Sequence, residues 1–368
     1  MRRVLELAQK GIGEVNPNPL VGAVLVKDSE VIAEAHHKRY GSTHAEAMAL
    51  QLAGDRAHGA DLYVNWEPCV NYSGKKTPPC TSAIINSGIK RVILGAVDPT
   101  PEVNGSGIAQ LRDAGVEVVE GVLQRECQQL NEIRAKYATT GLPFVLLKMA
   151  MTADGKIATR TGDGKWISSP DTLKLAHELR VRYAAVLVGI GTVFADDPQL
   201  TARHIKGRDP IRIVLDSQGK INPDAKILHL ESPSPTVIVT CSMTEQHEAQ
   251  LKAHSNNIEI WQLPKTPTGQ VDLRELLTKL GEREIDSLFI EGGSEVAGAF
   301  LDAQLIDKVR FIIGPKLIGG RQAPSPIGGE GIAVMSDAIP LREFSHEMCG
   351  PDLVIEGYPD YAGSDSHD

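Results

Sequence analysis

One imidazole and two thiols, His44, Cys69 and Cys80, sit in three separate segments yet make up the ligand set of a single zinc ion. A fold that uses them must bring three loop ends to one point. A catalytic zinc takes three protein ligands and leaves its fourth position to water. Glu46, two residues past His44, is left over to move protons. The order His-x-Glu and then Pro-Cys is a zinc-deaminase signature, in which activated water displaces an amine from a nucleobase-type ring. His44-Ala45-Glu46 and Pro68-Cys69 fit it, but Cys80 arrives eleven residues after Cys69 instead of three. A lone His-x-Glu is mostly chance, and a lone cysteine is more often a small buried hydrophobe. Their order, each at a strand–loop–helix junction, favours the metal reading.

The pattern around these residues alternates strand and helix. Apolar runs at Leu20–Val26, Val31–Ala35, Asp61–Asn65, Arg91–Ala96 and Val116–Val119 read as strands. Helical periodicity fits 2–10, Ala45–Leu52, Thr81–Ser87, Ile108–Asp113 and a single long helix Arg125–Tyr137. Such alternation implies an α/β fold, a parallel or mixed sheet with helices on both faces. Thr139-Thr140-Gly141-Leu142-Pro143 is the linker candidate. A second α/β segment follows, with strands at Phe144–Met149, Ala185–Gly189, Ile211–Asp216, Thr236–Thr240, Ser287–Glu291 and Lys308–Ile313. The expected domains are therefore 1–141 and 142–360, with 361–368 a frayed polar tail.

At 368 residues the chain is long enough for two or three domains. No apolar run approaches the ~20 residues of a membrane span. The first residues enter an amphipathic helix directly, so no secretory signal is expected. The five cysteines form an odd, scattered set, which suits a reducing cytoplasm. Met1–Leu142 holds 15 Lys and Arg against 16 Asp and Glu, and the remainder 23 against 31. Neither half has the basic excess that a phosphate backbone requires, so a small-molecule substrate is expected and a nucleic acid is not.

With these residues in view, the chain resembles the bifunctional riboflavin-biosynthesis deaminase–reductases over nearly its whole length. The resemblance rests in the first half on Pro17-Asn18-Pro19-Leu20-Val21-Gly22, His44-Ala45-Glu46, Glu67-Pro68-Cys69 and Thr77-Pro78-Pro79-Cys80. It implies a cytidine-deaminase-like three-layer α/β/α domain, with His44, Cys69 and Cys80 on zinc and Glu46 as proton shuttle. Asn18 would hold the pyrimidine, although a residue between two prolines is also an ordinary turn residue. The loop Val70–Lys76 is two residues longer than is usual in the family and lacks its histidine, and Trp66 replaces an aliphatic residue.

The second half has no Gly-x-Gly-x-x-Gly fingerprint, so a Rossmann dinucleotide site is not supported. Phe289-Ile290-Glu291-Gly292-Gly293-Ser294 runs from a strand through glycines into a helix, a start that suits phosphate. Glycines also end strands for steric reasons alone. Leu147-Lys148-Met149-Ala150, Trp166-Ile167-Ser168-Ser169, Gly191-Thr192, Ala195-Asp196-Asp197-Pro198 and Gly314-Pro315-Lys316-Leu317 extend the resemblance. It implies a dihydrofolate-reductase-like α/β domain that uses NADPH. The cofactor contacts would fall on Ala150, Trp166, Thr192, Asp196, Ser217 and Gly293, Ser294, Glu295, Val296, Ala297, Gly298 and Ala299. Substrate contacts would fall on Gly164, Arg180, Leu200, Arg203 and Glu291, with Gly164 standing where the family usually has a serine. Arginines grip phosphate bidentately, which fits a ribose-phosphate substrate. Lys148 is the candidate for orienting or protonating the sugar; the alternative is a lysine that merely snorkels to the surface.

The resemblance implies deamination of a pyrimidine ribonucleotide followed by reduction of its ribose, in a dimer or tetramer of identical chains. Two alternatives stand beside it. One keeps only the reductase, with the altered loop impairing a zinc-holding first domain. The other is a nucleic-acid-editing deaminase, which would need a basic groove and stacking aromatics; aromatic residues are 4% of the chain.

Overall fold

The computed structural model describes residues 1–71, 78–254 and 257–361. The chain divides into two compact units, Met1–Leu142 and Pro143 onward. In chain order the first contains α1 (Arg2–Gln9), β1 (Gly22–Lys27), β2 (Glu30–His36), α2 (Ala45–Ala53), β3 (Asp61–Trp66) and α3 (Cys80–Asn86). These are followed by β4 (Arg91–Ala96), α4 (Ser106–Asp113), β5 (Glu117–Val119), α5 (Gln124–Leu130) and α6 (Glu132–Thr140). The sheet runs β2-β1-β3-β4-β5, antiparallel through β3 and parallel from β3 to β5.

Side-chain alternation along β1 explains the three layers. Ala23 and Leu25 pack into the main core with Ala49, Leu50 and Ala53 of α2 and Ile84 of α3. Val24 points the other way, onto Val4 and Leu7 of α1. Period-2 strands therefore feed helices on both faces. The helix expected over Arg125–Tyr137 is in fact two, α5 and α6, parted at Asn131. The buried Asn131 amide leaves the helical path to bond the Leu20 backbone, accepting from its N–H at 2.7 Å and donating to its carbonyl at 3.0 Å.

The second unit contains β6 (Phe144–Thr152), α7 (Pro170–Arg182), β7 (Ala185–Gly189), α8 (Ile190–Asp196), β8 (Ile211–Leu215), β9 (Thr236–Thr240) and α9 (Glu245–His254). Then come β10 (Ile258–Gln262), α10 (Leu273–Glu282), β11 (Ser287–Ile290), α11 (Ser294–Asp302), β12 (Lys308–Gly314), β13 (Leu341–Cys349) and β14 (Asp352–Pro359). Its nine-stranded sheet runs β10-β9-β8-β7-β11-β6-β12-β14-β13. Strands β10 through β12 are parallel, and β14 and β13 are antiparallel. β7, β9 and β11 are buried throughout, as parallel strands covered on both faces must be. Their carboxyl ends open onto one side.

β10, β13 and β14 have no counterpart among the expected strands. β13 is almost wholly exposed and mixes Arg342, Glu343, His346 and Glu347 with Phe344 and Met348, so it carries no apolar alternation. Tyr361, expected in the frayed tail, is instead held in place, its hydroxyl donating to the Ile306 carbonyl at 3.1 Å. The rest of that tail lies outside the described residues. Among the described residues no helix is long and apolar enough to cross a membrane.

Candidate active sites

In the first unit, α2 presents His44 as its N-cap residue and α3 begins at Cys80, while Cys69 follows the end of β3. The three ligand atoms lie within 4.8 Å of one another. His44 Nδ1 is 3.5 Å from Cys69 Sγ and 3.3 Å from Cys80 Sγ. Tetrahedral zinc with bonds of about 2.0 Å to nitrogen and about 2.3 Å to sulfur sets its donors roughly 3.5–3.8 Å apart. The donor set fits zinc in kind and spacing. The Cys80 backbone N–H donates to Cys69 Sγ at 3.4 Å, which favours its thiolate.

Glu46 lies in the first turn of α2 among its buried residues, with Ala45, Ala49, Leu50 and Ala53. A carboxylate there is costly unless something engages it. Its Oε2 is buried with no hydrogen-bond partner, and burial first, then the neighbouring Cys69, pushes the carboxyl above its ordinary range. A buried, unpartnered proton acceptor beside an Nδ1/Sγ/Sγ triangle is what hydrolytic zinc chemistry requires.

The buried Glu67 carboxylate accepts from the backbone N–H groups of Asp98 (3.2 Å), Gly105 (3.0 Å), Gly107 (2.8 Å) and Ile108 (3.2 Å). Its charge meets the uncapped amino end of α4 and holds the Glu67-Pro68-Cys69 turn. Gly107 is required at this approach, since a Cβ there would meet the Pro68 carbonyl oxygen at 2.3 Å. Asn18 Nδ2 lies 3.1 Å from Nε2 of the buried His37, whose Nδ1 is 3.3 Å from the Thr43 carbonyl. Burial holds His37 below its ordinary pKa, so the neutral ring donates from Nδ1 and accepts from Asn18 at Nε2. Asn65 also secures this strip, donating to the Leu20 carbonyl and accepting from the Gly22 N–H, both at 2.8 Å. Glu67, His37, Asn65 and Asn131 were not singled out by sequence reasoning. Only Glu67 had a signal, its place in the Glu-Pro-Cys motif. The altered loop Val70–Lys76 lies outside the described residues from position 72 on.

The second unit encloses a cavity of about 1730 Å³ at the carboxyl ends of its parallel strands. Lys148, Ala150, Gly164, Trp166, Arg180, Thr192, Asp196, Leu200, Arg203, Ser217 and Glu291 all line it, with Gly293, Ser294, Glu295, Val296 and Ala299. Ala297 and Gly298 do not. Helical period turns them to the opposite side of α11, where Ala297 is fully buried and a Cβ on Gly298 would meet the Gly328 carbonyl oxygen at 2.5 Å. The amino end of α11 has no side-chain cap, and Gly292 and Gly293 adopt φ of +152° and +89°. Free amides at that end, beside a cavity, fit a dinucleotide's phosphates.

Arg180 departs from the phosphate grip expected of it. Its Nε and Nη2 bind both Glu291 oxygens, at 2.7 and 2.8 Å, and its Nη1 donates to the Thr201 carbonyl at 2.9 Å. The guanidinium fork is consumed in aiming a carboxylate. Burial works against the charge on Glu291, but Arg180 outweighs it and the carboxyl stays below its ordinary range. Lys148 on β6 is held below its usual pKa by burial, with Glu291 opposing and Arg180 and Arg310 reinforcing the shift. Arg203 is exposed and carries no ion pair among the described residues. His177 donates from Nδ1 to Thr201 O at 3.0 Å; burial, then Arg180 and His204, lower its pKa to about 4. At Gly164 a Cβ would meet the Ile157 carbonyl oxygen at 2.9 Å, so the backbone passes closer here than a serine allows.

Residues 1–96 match the family model for the cytidine and deoxycytidylate deaminase zinc-binding region, and residues 143–355 match the RibD C-terminal domain. The riboflavin biosynthesis protein RibD of Actinobacillus pleuropneumoniae is 43% identical, covering 97% of this chain and 93% of its own length. That of Escherichia coli is 36% identical, with 96% and 97% covered. A Thermotoga maritima diaminohydroxyphosphoribosylaminopyrimidine deaminase/5-amino-6-(5-phosphoribosylamino)uracil reductase superimposes with a TM-score of 0.84 at 39% identity, covering 98% and 97%.

Proposed function

The chain belongs to the RibD family of riboflavin biosynthesis enzymes, and from that premise we propose which of its residues carry each reaction. It is a zinc-dependent deaminase and an NADPH-dependent reductase. The first reaction removes ammonia from 2,5-diamino-6-(5-phosphoribosylamino)pyrimidin-4-one. The second reduces the ribose of 5-amino-6-(5-phosphoribosylamino)uracil to the ribitylamino product. We assign the first to the Met1–Leu142 unit and the second to the unit from Pro143 to position 360.

His44, Cys69 and Cys80 would hold zinc, which supplies a water of lowered pKa. Glu46 Oε2 would carry the water's first proton to the ring nitrogen and, as the carbonyl forms, the second to the amine, which leaves as ammonia. Asn18, its Nδ2 given to His37, keeps Oδ1 for the pyrimidine edge. In the second unit NADPH supplies hydride for the sugar C1′. Lys148 orients or protonates the sugar, while Arg180 holds Glu291 toward the same region. Arg203 takes the substrate phosphate. The observation that carries this reading is the convergence of three zinc donors beside the unpartnered Glu46 Oε2. A complete donor set and proton shuttle argue against a first unit that is only a scaffold.

A reducing cytoplasm suits five cysteines that are all free thiols. Self-association is supported by β13, an edge strand with exposed Phe344 and Met348, because an unpaired edge accepts a second copy of itself. The near-balanced charge of the first unit supports a small-molecule substrate over a nucleic acid. The test supplies the diaminopyrimidine nucleotide with and without NADPH and follows ammonia and NADPH separately. Ammonia release without NADPH, followed by NADPH oxidation once it is added, is expected. NADPH oxidation with no ammonia release would leave only the reductase.

A further inference from the structure

We propose that Lys220 reads the 2′-phosphate that distinguishes NADPH from NADH. The inference rests on the reading that the second unit's cavity holds the dinucleotide. In open parallel sheets a dinucleotide lies across the carboxyl ends of neighbouring strands. An acidic residue there bonds the free ribose 2′-hydroxyl in NAD sites, whereas a cation accommodates the 2′-phosphate in NADP sites.

β7 and β8 are parallel neighbours whose carboxyl ends meet this cavity. The residue that follows β8 is Asp216, which by type would favour NADH. It is turned inward, however, only 1% exposed, and its Oδ2 accepts from the Ile221 N–H at 2.7 Å. The backbone N–H groups of Gln218 and Lys220 bond the same carboxylate. Asp216 thus shapes the turn and offers no negative charge to the ribose. Asp216 borders the cavity with its carboxylate bonded into the turn, and Ser217, Gln218 and Lys220 line the cavity from the turn's outer side. Ser217 is tied down, its Oγ donating to Gln270 Oε1 and accepting from the Val271 N–H, both at 3.1 Å.

The cations that line the cavity narrow the choice. Lys165 pairs with Asp196, Arg180 with Glu291 and Lys226 with Asp197, while Arg274 donates to the Ala303 carbonyl. Apart from the half-buried Lys148, only Arg203 and Lys220 show neither an ion pair nor a side-chain hydrogen bond of any kind among the described residues. Two phosphate monoesters enter this cavity, one on the sugar substrate and one on NADPH. Arg203, two residues beyond the Thr201 carbonyl that Arg180 binds, sits with the substrate machinery. Lys220, past the end of β8, is left for the cofactor. The pyrophosphate has the uncapped amides of α11.

The experiment titrates wild type, K220Q and K220R with NADPH, NADH, adenosine 2′,5′-bisphosphate and adenosine 5′-monophosphate by calorimetry. Loss of one charge-assisted phosphate contact corresponds to about tenfold or more in affinity. K220Q is expected to weaken NADPH and adenosine 2′,5′-bisphosphate by that factor. NADH and adenosine 5′-monophosphate should stay within about twofold, and K220R should retain binding. Equal loss for all four ligands, or no loss for any, overturns the assignment. G191D separates the two readings: Gly191 has open space around its Cβ position, so the variant keeps the fold and puts a carboxylate beside the phosphates. It should weaken NADPH and NADH alike. If it weakens both while K220Q discriminates neither, Lys220 alone is wrong; if it weakens neither, the cofactor site falls, and this inference with it.

Discussion

Glu46 and His177 are both buried ionisable groups, but they obey opposite constraints. In the proposed deamination Glu46 accepts a proton, and its Oε2 has no hydrogen-bond partner to compete for it. Glu46→Gln keeps the volume and removes the base. Ammonia release should fall by roughly 10²–10⁴, with zinc content by atomic absorption and NADPH oxidation on the uracil substrate unchanged. Persistent ammonia release would remove Glu46 from its role. His177 instead must stay neutral. With its folded pKa near 4, below the ordinary 6.5, the unfolded chain binds the extra proton between those values. Stability therefore falls as pH drops through that window. Melting temperature against pH should show this decline, and His177→Asn, which retains a donor near Nδ1, should flatten it. An unchanged slope in the variant would place the acid sensitivity elsewhere. The role proposed for Glu46 is suggested by the chain itself because His-x-Glu is a local pattern. His177 had no such signal, since its partner Thr201 and its neighbour His204 approach it only in the fold.

At the scale of elements, the break between α5 and α6 shows how a long-range bond overrides local preference. The polar residues of 124–132 suit one continuous helix, but Asn131 serves Leu20, 111 residues earlier, instead. Asn131→Ala should join the two helices, leave the Leu20 N–H unsatisfied and cost about 1–3 kcal/mol. The strip carrying Asn18 would loosen, so the deaminase KM should rise more than kcat falls. Chemical denaturation and steady-state ammonia kinetics check both; wild-type KM in a destabilised variant would detach the strip from substrate binding. The same limit governs α11. A strand-to-helix junction at Glu291–Ser294 was readable from its glycines. That Gly298 packs against the 328–329 loop while Ala297 is buried in the core depends on what covers that side of the helix.

For the whole molecule, two units with separate cores and separate sites should respond separately to metal removal. A chelator that strips zinc should abolish ammonia release and leave NADPH oxidation on the uracil substrate within about twofold, given that among the described residues the His/Cys/Cys set lies in the first unit alone. Parallel loss of both activities would argue that the units depend on one another. The self-association proposed above is tested at the edge of the larger sheet. Changing both Phe344 and Met348 to Glu puts charge on an exposed edge strand, and light scattering should then report a monomer. An unchanged mass would move the contact off β13.

Local patterns in the amino-acid order determined most of the element types and the two-part organisation, and pointed to the zinc ligands and proton shuttle proposed above, because periodicity, caps and closely spaced ligands act over a few residues. Only the tertiary structure decided that Arg180 spends its fork on Glu291, that Asp216 turns inward beside Lys220, and that Asn131 interrupts a helix. Each depends on a partner distant in the chain or on a direction of burial, and neither is encoded in any single window of sequence.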